Sequence, residues 1–266
     1  MGSRYELFQP LLTESGLSRF ALSLQQRTAS GPLSGIVHSF LQITATRPTL
    51  YPMIPDGTQA VFIGPNSVHL RGAQTKTLEL PIPEPGKYFG IQFFPGTLRY
   101  FFQEDISGIT DRFVDGNYWP CRQFAQLQQP IFMKASFAER AEECEKWLLE
   151  RVQPSATQAF DRALSEVYQS LGAVNVNVLA EKVGLSRRHL NRLFQRYIGL
   201  STKTFSQTVR VQAACRALFK DPSSSLKTAA DLGFFDQAHL LREYKKSLLL
   251  SPRSLFTRFR SDLYNR

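Results

Sequence analysis

The chain has 266 residues, 42% apolar and 20% charged, which is enough for two hydrophobic cores and too apolar for wholesale disorder. It holds no run of about 18 apolar residues, and Met1-Gly2-Ser3-Arg4-Tyr5-Glu6 has neither a signal-peptide core nor the hydroxyl of a myristoylation site. The expectation is a soluble cytoplasmic protein with no membrane partner. The net charge of +10 is divided unequally: residues 1–154 carry 14 Lys/Arg and 14 Asp/Glu, whereas residues 155–266 carry 18 and 8. Clustered cations gain by releasing counterions from phosphates, so a polyanion is expected to meet only the second part.

Along the chain, residues 36–95 read as short strands separated by turns. Gln59–Gly64, Ser67–Arg71, Thr75–Leu80 and Tyr88–Phe93 alternate or are rich in β-branched and aromatic residues, and Pro55-Asp56-Gly57 and Pro85-Gly86 are turn signals. The period then changes. Over Ser136–Val152, Phe137, Ala141, Cys144, Leu148 and Val152 form one helical stripe among charges, a face that must pack on the β-rich part or on a second copy. Pro154-Ser155 reads as its stop and the next cap. The expected organisation is α+β. A β-rich regulatory domain over 1–118 leads to a helical connector and candidate dimerisation element over 119–154, then to an all-α domain over 155–266.

The last part contains an internal repeat. Leu179-Ala-Glu-Lys-Val-Gly184 lies over Thr228-Ala-Ala-Asp-Leu-Gly233 at an offset of 49, and from Ser186/Asp236 onward the offset is 50, pairing His189 with His239, Leu190 with Leu240 and Arg192 with Arg242. Each copy reads as a short helix with a small Ala, a turn at Gly184 or Gly233, a cap at Ser186 or Asp236, and a longer basic helix. This is a helix-turn-helix pattern. In the first long helix Leu190, Leu193, Phe194 and Tyr197 follow core spacing, while Arg188, Asn191, Arg192 and Gln195 share another face, with Arg187 beside them. Arginine can donate two hydrogen bonds to guanine, and Asn or Gln can pair bidentately with adenine, from a helix in the major groove. In the second, His239, Arg242 and Lys246 share a face with Glu243, and Leu240, Tyr244 and Leu248 make the buried stripe. A linker helix over Ser201–Phe219, with Val211, Ala214 and Leu218 on one face, is about 30 Å long, close to one DNA turn.

The run LAEKVGLSRRHLNRLFQRYIGLS, the Arg210-Val211 linker, the run ADLGFFDQAHLLREYKK and Ser251-Pro252 together resemble the DNA-binding domain of AraC/XylS-type transcription regulators. The resemblance implies two helix-turn-helix units on promoter DNA, with base contacts from Arg188, Asn191, Arg192, Gln237, His239 and Arg242. Leu249 departs from the family's usual glycine, which is present in the first copy as Gly199. The N-terminal part is more faintly similar to the cupin-like sensor domains of such regulators, through Pro55-Asp56-Gly57 and Gly90–Gly96, and by implication it binds an effector or dimerises.

A cupin-type metal enzyme fused to a DNA reader is the alternative function. It needs clustered imidazole and carboxylate ligands, whereas residues 1–154 offer His38 and His69 without a His-x-His. Cys121, Cys144 and Cys215 are odd in number and lack a Cys-x-x-Cys, which argues against a disulfide framework or a cysteine-rich zinc site. No cofactor, metal or catalytic residue is expected. Double-stranded promoter DNA is the expected partner. A second copy of the chain, RNA polymerase and a small-molecule or protein effector are further candidates.

Overall fold

The computed structural model describes residues 5–10, 12–102, 104–117, 122–153 and 157–249. Cys121, Ser251-Pro252 and the two expected domain boundaries lie outside these residues.

The first part consists of a short helix α1 (Glu14–Ser18) and strands β1 (Leu22–Thr28), β2 (Val37–Ala45), β3 (Thr49–Met53), β4 (Gln59–Ile63), β5 (Val68–Arg71), β6 (Leu78–Ile82), β7 (Gly86–Phe93) and β8 (Phe113–Asp115). Six of them form an antiparallel sheet in the order β1-β2-β7-β4-β5-β8, and β3 with β6 forms a separate ribbon. The period-2 pattern explains the layering. Ala60 and Phe62 point to one face with Ile43, Ala45 and the ribbon's Tyr51, Met53, Leu80 and Ile82. Val61 and Ile63 point to the other face, with Phe40, Leu70, Phe89, Ile91 and Phe93. Strand β4 is therefore buried on both sides, which is why it reads as a continuous apolar run.

Helices α2 (Arg122–Ala125), α3 (Gln128–Phe132) and α4 (Phe137–Leu149) cover that second face. A reciprocal capping box opens α4: the Glu139 amide donates to Ser136 Oγ at 3.2 Å, and the Ser136 amide donates to Glu139 Oε2 at 2.9 Å. Its apolar stripe is taken by the chain's own sheet, with Ala141, Cys144 and Leu148 fully buried and Arg140 donating to Gln42 Oε1 at 2.7 Å. Dimerisation through this stripe would have to displace that packing, so of the two docking partners expected from the sequence the β-sheet is the one observed.

Two strand expectations shift for physical reasons. The segment expected from Thr75 enters its ribbon only at Leu78, because the Thr75 and Thr77 amides donate elsewhere, to Asp111 Oδ1 at 2.7 Å and to the Ser247 carbonyl at 2.9 Å. Strand β1 is not expected from the sequence, since as an edge strand it leaves Ser23, Gln25 and Gln26 exposed and shows little alternation.

The second part is wholly helical among the described residues: α5 (Gln158–Gln169), α6 (Val176–Lys182), α7 (Arg187–Ile198), α8 (Thr202–Lys220), α9 (Ser225–Asp231) and α10 (Gln237–Leu248). Helix α8 passes between two small cores. One gathers Phe160, Leu190, Phe194, Ile198 and Phe205, and the other Ala214, Leu218, Phe234, Leu240, Tyr244 and Leu248.

Candidate nucleic-acid interface

In the first unit, Asn175 caps α6, and Gly184 turns the chain with φ +75°. A Cβ there would meet no atom within 4 Å, so the glycine is required by the left-handed backbone and not by space. The Ser186 hydroxyl accepts the His189 amide at 3.2 Å and opens α7. Leu190, Phe194 and Ile198 are then fully buried, which fixes the rotation of the helix and leaves the opposite face to solvent. On that face Ser186, Arg188, His189, Asn191, Arg192 and Gln195 line an open groove of about 560 Å³. Arg187, Arg188, Arg192 and Gln195 are exposed.

Asn191 is half-buried and has a second task. Its Oδ1 accepts the Thr202 amide at 3.1 Å, satisfying an orphan donor at the start of α8, while Nδ2 donates to Gln195 Oε1 at 3.3 Å. Bidentate pairing with adenine would require it to release Thr202. Gln195 is exposed and need release only the Asn191 amide to meet another partner.

The second unit repeats the geometry. Gly233 turns with φ +67°, and Asp236 Oδ1 accepts the His239 amide at 2.5 Å. Leu240, Tyr244 and Leu248 are fully buried. Gln237, Arg242, Lys245 and Lys246 are exposed, but His239 is half-buried with Nδ1 accepting the Phe235 amide at 3.2 Å and its ring edge-on to Phe234. Only its Nε2 is left for another partner. Glu243 is half-buried and faces the electrostatic field of Arg210 on α8. Arg210 itself lies over the Phe234 ring at 4.7 Å and donates to the Gly233 carbonyl at 3.3 Å, bracing the turn. Burial lowers its pKa, an effect the Glu243 charge opposes. Leu249 ends α10 with φ +57°, the same left-handed cap that Gly199 makes at φ +89°, so the departure from glycine preserves the turn at a steric cost.

The sequence did not point to what holds the other ends of these two helices. The last carbonyls of a helix lack internal partners. At the end of α7, the Ile106 amide donates to the Arg196 carbonyl at 3.1 Å, Gln59 Nε2 to Ile198 at 3.0 Å and Thr110 Oγ1 to Gly199 at 2.6 Å. At the end of α10, Thr77 donates through its amide to Ser247 at 2.9 Å and through Oγ1 to Leu248 at 3.0 Å. All five donors belong to the β-rich domain.

The linker helix is docked as well. Gln212 Nε2 donates to the Pro55 carbonyl at 2.7 Å, and a Cβ at Gly57 would stand 2.7 Å from the Phe205 ring. The Pro55-Asp56-Gly57 turn is itself fixed from within: Asp56 Oδ1 accepts from Thr58 twice, at 2.9 and 2.7 Å, and the fully buried Arg71 donates to Thr58 Oγ1 and Gln74 Oε1, both at 2.7 Å. Arg99, also buried, reaches across to Asp161 and Thr157 of the helical domain and lies over the Tyr100 and Phe160 rings.

Away from the helices, an apolar cavity of about 390 Å³ opens between the six-stranded sheet and the ribbon, lined by Ile43, Phe62, Leu80, Ile82, Tyr88 and Phe113 with His69 and Ser67. His38 lies apart from it, at the bulge where the β2–β7 register shifts, edge-on to Phe94. Burial lowers its pKa. Among the described residues no group of three or more His, Cys, Asp or Glu could hold a metal ion, and Cys144 and Cys215 are buried free thiols. No helix among them is long and apolar enough to cross a membrane.

Two helix-turn-helix units, each with a capped second helix, flank a shared helix. Residues 179–258 match a family model described as a helix-turn-helix domain, and residues 25–115 match the model of a domain of unknown function designated DUF6597. The C-terminal part of the chain therefore carries a helix-turn-helix domain.

Over 78 residues it is 35% identical to an uncharacterized HTH-type transcriptional regulator of Haemophilus influenzae and 31% identical to the HTH-type transcriptional regulator MtrA of Neisseria gonorrhoeae. Each match spans 29% of this chain and only 26% of the relative. Solved structures similar to it include a transcriptional regulator with an AraC-type DNA-binding domain from Chromobacterium violaceum, at 23% identity over 39% of this chain and 90% of that one, with TM-score 0.35. ToxT from Vibrio cholerae is similar over 91% of this chain and 98% of that one, at 7% identity and TM-score 0.43.

Proposed function

We propose that the chain is a transcription regulator that reads promoter DNA with two helix-turn-helix units while its β-rich domain regulates them. The observation that carries this reading is the pair of equivalently capped helices, each with its apolar side buried and a cationic side exposed. Direct readout falls to Arg188, Arg192 and Gln195 of the first unit, with Asn191 supporting them, and to the exposed face of α10 in the second, where Gln237, Arg242 and Lys246 are cationic or polar. Arg187 and the capped helix N-termini contact phosphates and set register.

Regulation is assigned to the β-rich domain because its loops bond the carbonyl ends of both reading helices. An effector in the cavity beside Phe62 and Tyr88 would be a small, largely apolar molecule. The chain acts in the cytoplasm without enzymatic activity. Its further partners are RNA polymerase at the promoter and a second copy that pairs through a surface other than the covered face of α4.

The test is selection of random duplexes by the full chain at moderate salt. Enrichment of one sequence, with preference relaxed at a single base pair by Arg192→Ala, supports the reading. Binding without sequence preference, as expected of a merely basic surface seeking an acidic protein, contradicts it.

A further inference from the structure

The two units are alike in backbone and unlike in the surface they present. With the offset of 50, the groove residues Arg188, Asn191, Arg192 and Gln195 of α7 correspond to Ala238, Leu241, Arg242 and Lys245 of α10. Two hydrogen-bonding side chains have become apolar ones, and both remain exposed, Leu241 at 37%.

The change of offset from 49 to 50 adds a residue at the mouth of this face. Leu185 and Phe234 are equivalent, since their amides donate to Ala180 and Ala229 at 2.9 Å each, and Ser186 and Asp236 are equivalent caps. The extra residue between Phe234 and Asp236 is Phe235. Its side chain is 91% exposed, the most exposed large apolar residue described. Its backbone is nonetheless held, through the amide bonded to His239 Nδ1, the buried Phe234 before it and the cap Asp236 after it. An exposed aromatic ring on an anchored backbone, next to the N-terminal turn of a helix with an exposed cationic side, is placed to meet a partner that brings apolar groups to a cationic surface.

Duplex DNA offers one such group at a base edge, the 5-methyl of thymine, which projects into the major groove and is read by apolar contact. We propose that α10 recognises thymine methyl groups through Phe235, Ala238 and Leu241, with Arg242 and Lys245 holding the flanking polar edges or phosphates, so that the second half-site is read by shape and methyl contact where the first is read by hydrogen bonds. This specificity rests on the DNA-binding function proposed above.

The experiment replaces thymidine by deoxyuridine, one position at a time, in the duplex selected by the full chain. Deoxyuridine keeps the pairing and removes only the methyl. The half-site relaxed by Arg192→Ala marks the first unit, and the other belongs to α10. The expected result is a roughly three- to fivefold loss of affinity, about that of one desolvated methyl, at one or two thymines of the second half-site and at none of the first.

Phe235→Ala and Leu241→Ala, at exposed positions that leave the core intact, should each abolish the difference between thymine and uracil at one of those positions. Wild-type protein that binds the uracil duplexes as tightly throughout the second half-site overturns the proposal. So does a methyl effect that survives in both variants. If no duplex sequence is selected at all, the DNA-binding function itself has failed and the proposal with it.

Discussion

The first and second helix-turn-helix units share a left-handed glycine turn, a side-chain cap and a buried stripe three or four residues apart, yet they differ at almost every exposed position of the longer helix. Glycine, cap and stripe are constraints of folding, and a duplicated unit that loses them loses its core. The solvent face carries no such constraint and is free to diverge. What can be read from one copy onto the other is therefore the placement of the helix and not its specificity.

The largest effect that separates the units is expected from Arg192→Ala, which should cost on the order of 1–3 kcal/mol of binding and relax one base pair of the first half-site, as measured by titrating single-base variants of the selected duplex. Equal weakening on every sequence would move Arg192 to the phosphate backbone.

The carbonyl-end contacts should come next. Thr110→Ala and Thr77→Ala each remove one hydroxyl donor from a helix end and are expected to destabilise the full chain by about 0.5–1.5 kcal/mol in urea unfolding. Footprints should separate them, Thr110→Ala weakening protection of the first half-site and Thr77→Ala that of the second. Identical footprints for both variants would mean that the β-rich domain does not hold the units independently.

The smallest effect sharpens the one folding difference between the copies. Leu249→Gly relieves the left-handed cap of α10 and is expected to stabilise the protein by about 1 kcal/mol or less, because the steric gain is partly offset by the entropy that glycine adds to the unfolded chain. Gly199→Ala should do the opposite and by more, since its Cβ would stand 2.7 Å from the Thr110 hydroxyl that bonds this helix end.

How much of this was legible in the sequence follows the range of the interactions. The stripe Leu190-Leu193-Phe194-Tyr197, the caps Ser186 and Asp236 and the linker helix depend on neighbours within one helical turn, and periodicity exposes them. Strand β4 could be read because both its faces are buried, whereas the polar edge strand β1 could not. The half-buried Asn191 looked like a reader because spacing does not reveal that Thr202 draws on its carbonyl oxygen. His239 shared a face with Arg242 in the pattern, and its bond to the Phe235 amide becomes visible only once the extra residue is seen to loop out. Least legible of all was the contact between Thr77 and Leu248, separated by 171 residues and made through backbone carbonyls that carry no sequence signal.

The central claim is that two unlike readers engage a single duplex. Hydroxyl-radical footprinting of the full chain on its selected duplex tests it most directly. Two protected segments on one face of the DNA, centred about one helical turn apart, are the predicted result. A single protected segment that is lost entirely with Arg192→Ala and untouched by changes at Phe235, Leu241 or Arg242 would contradict it.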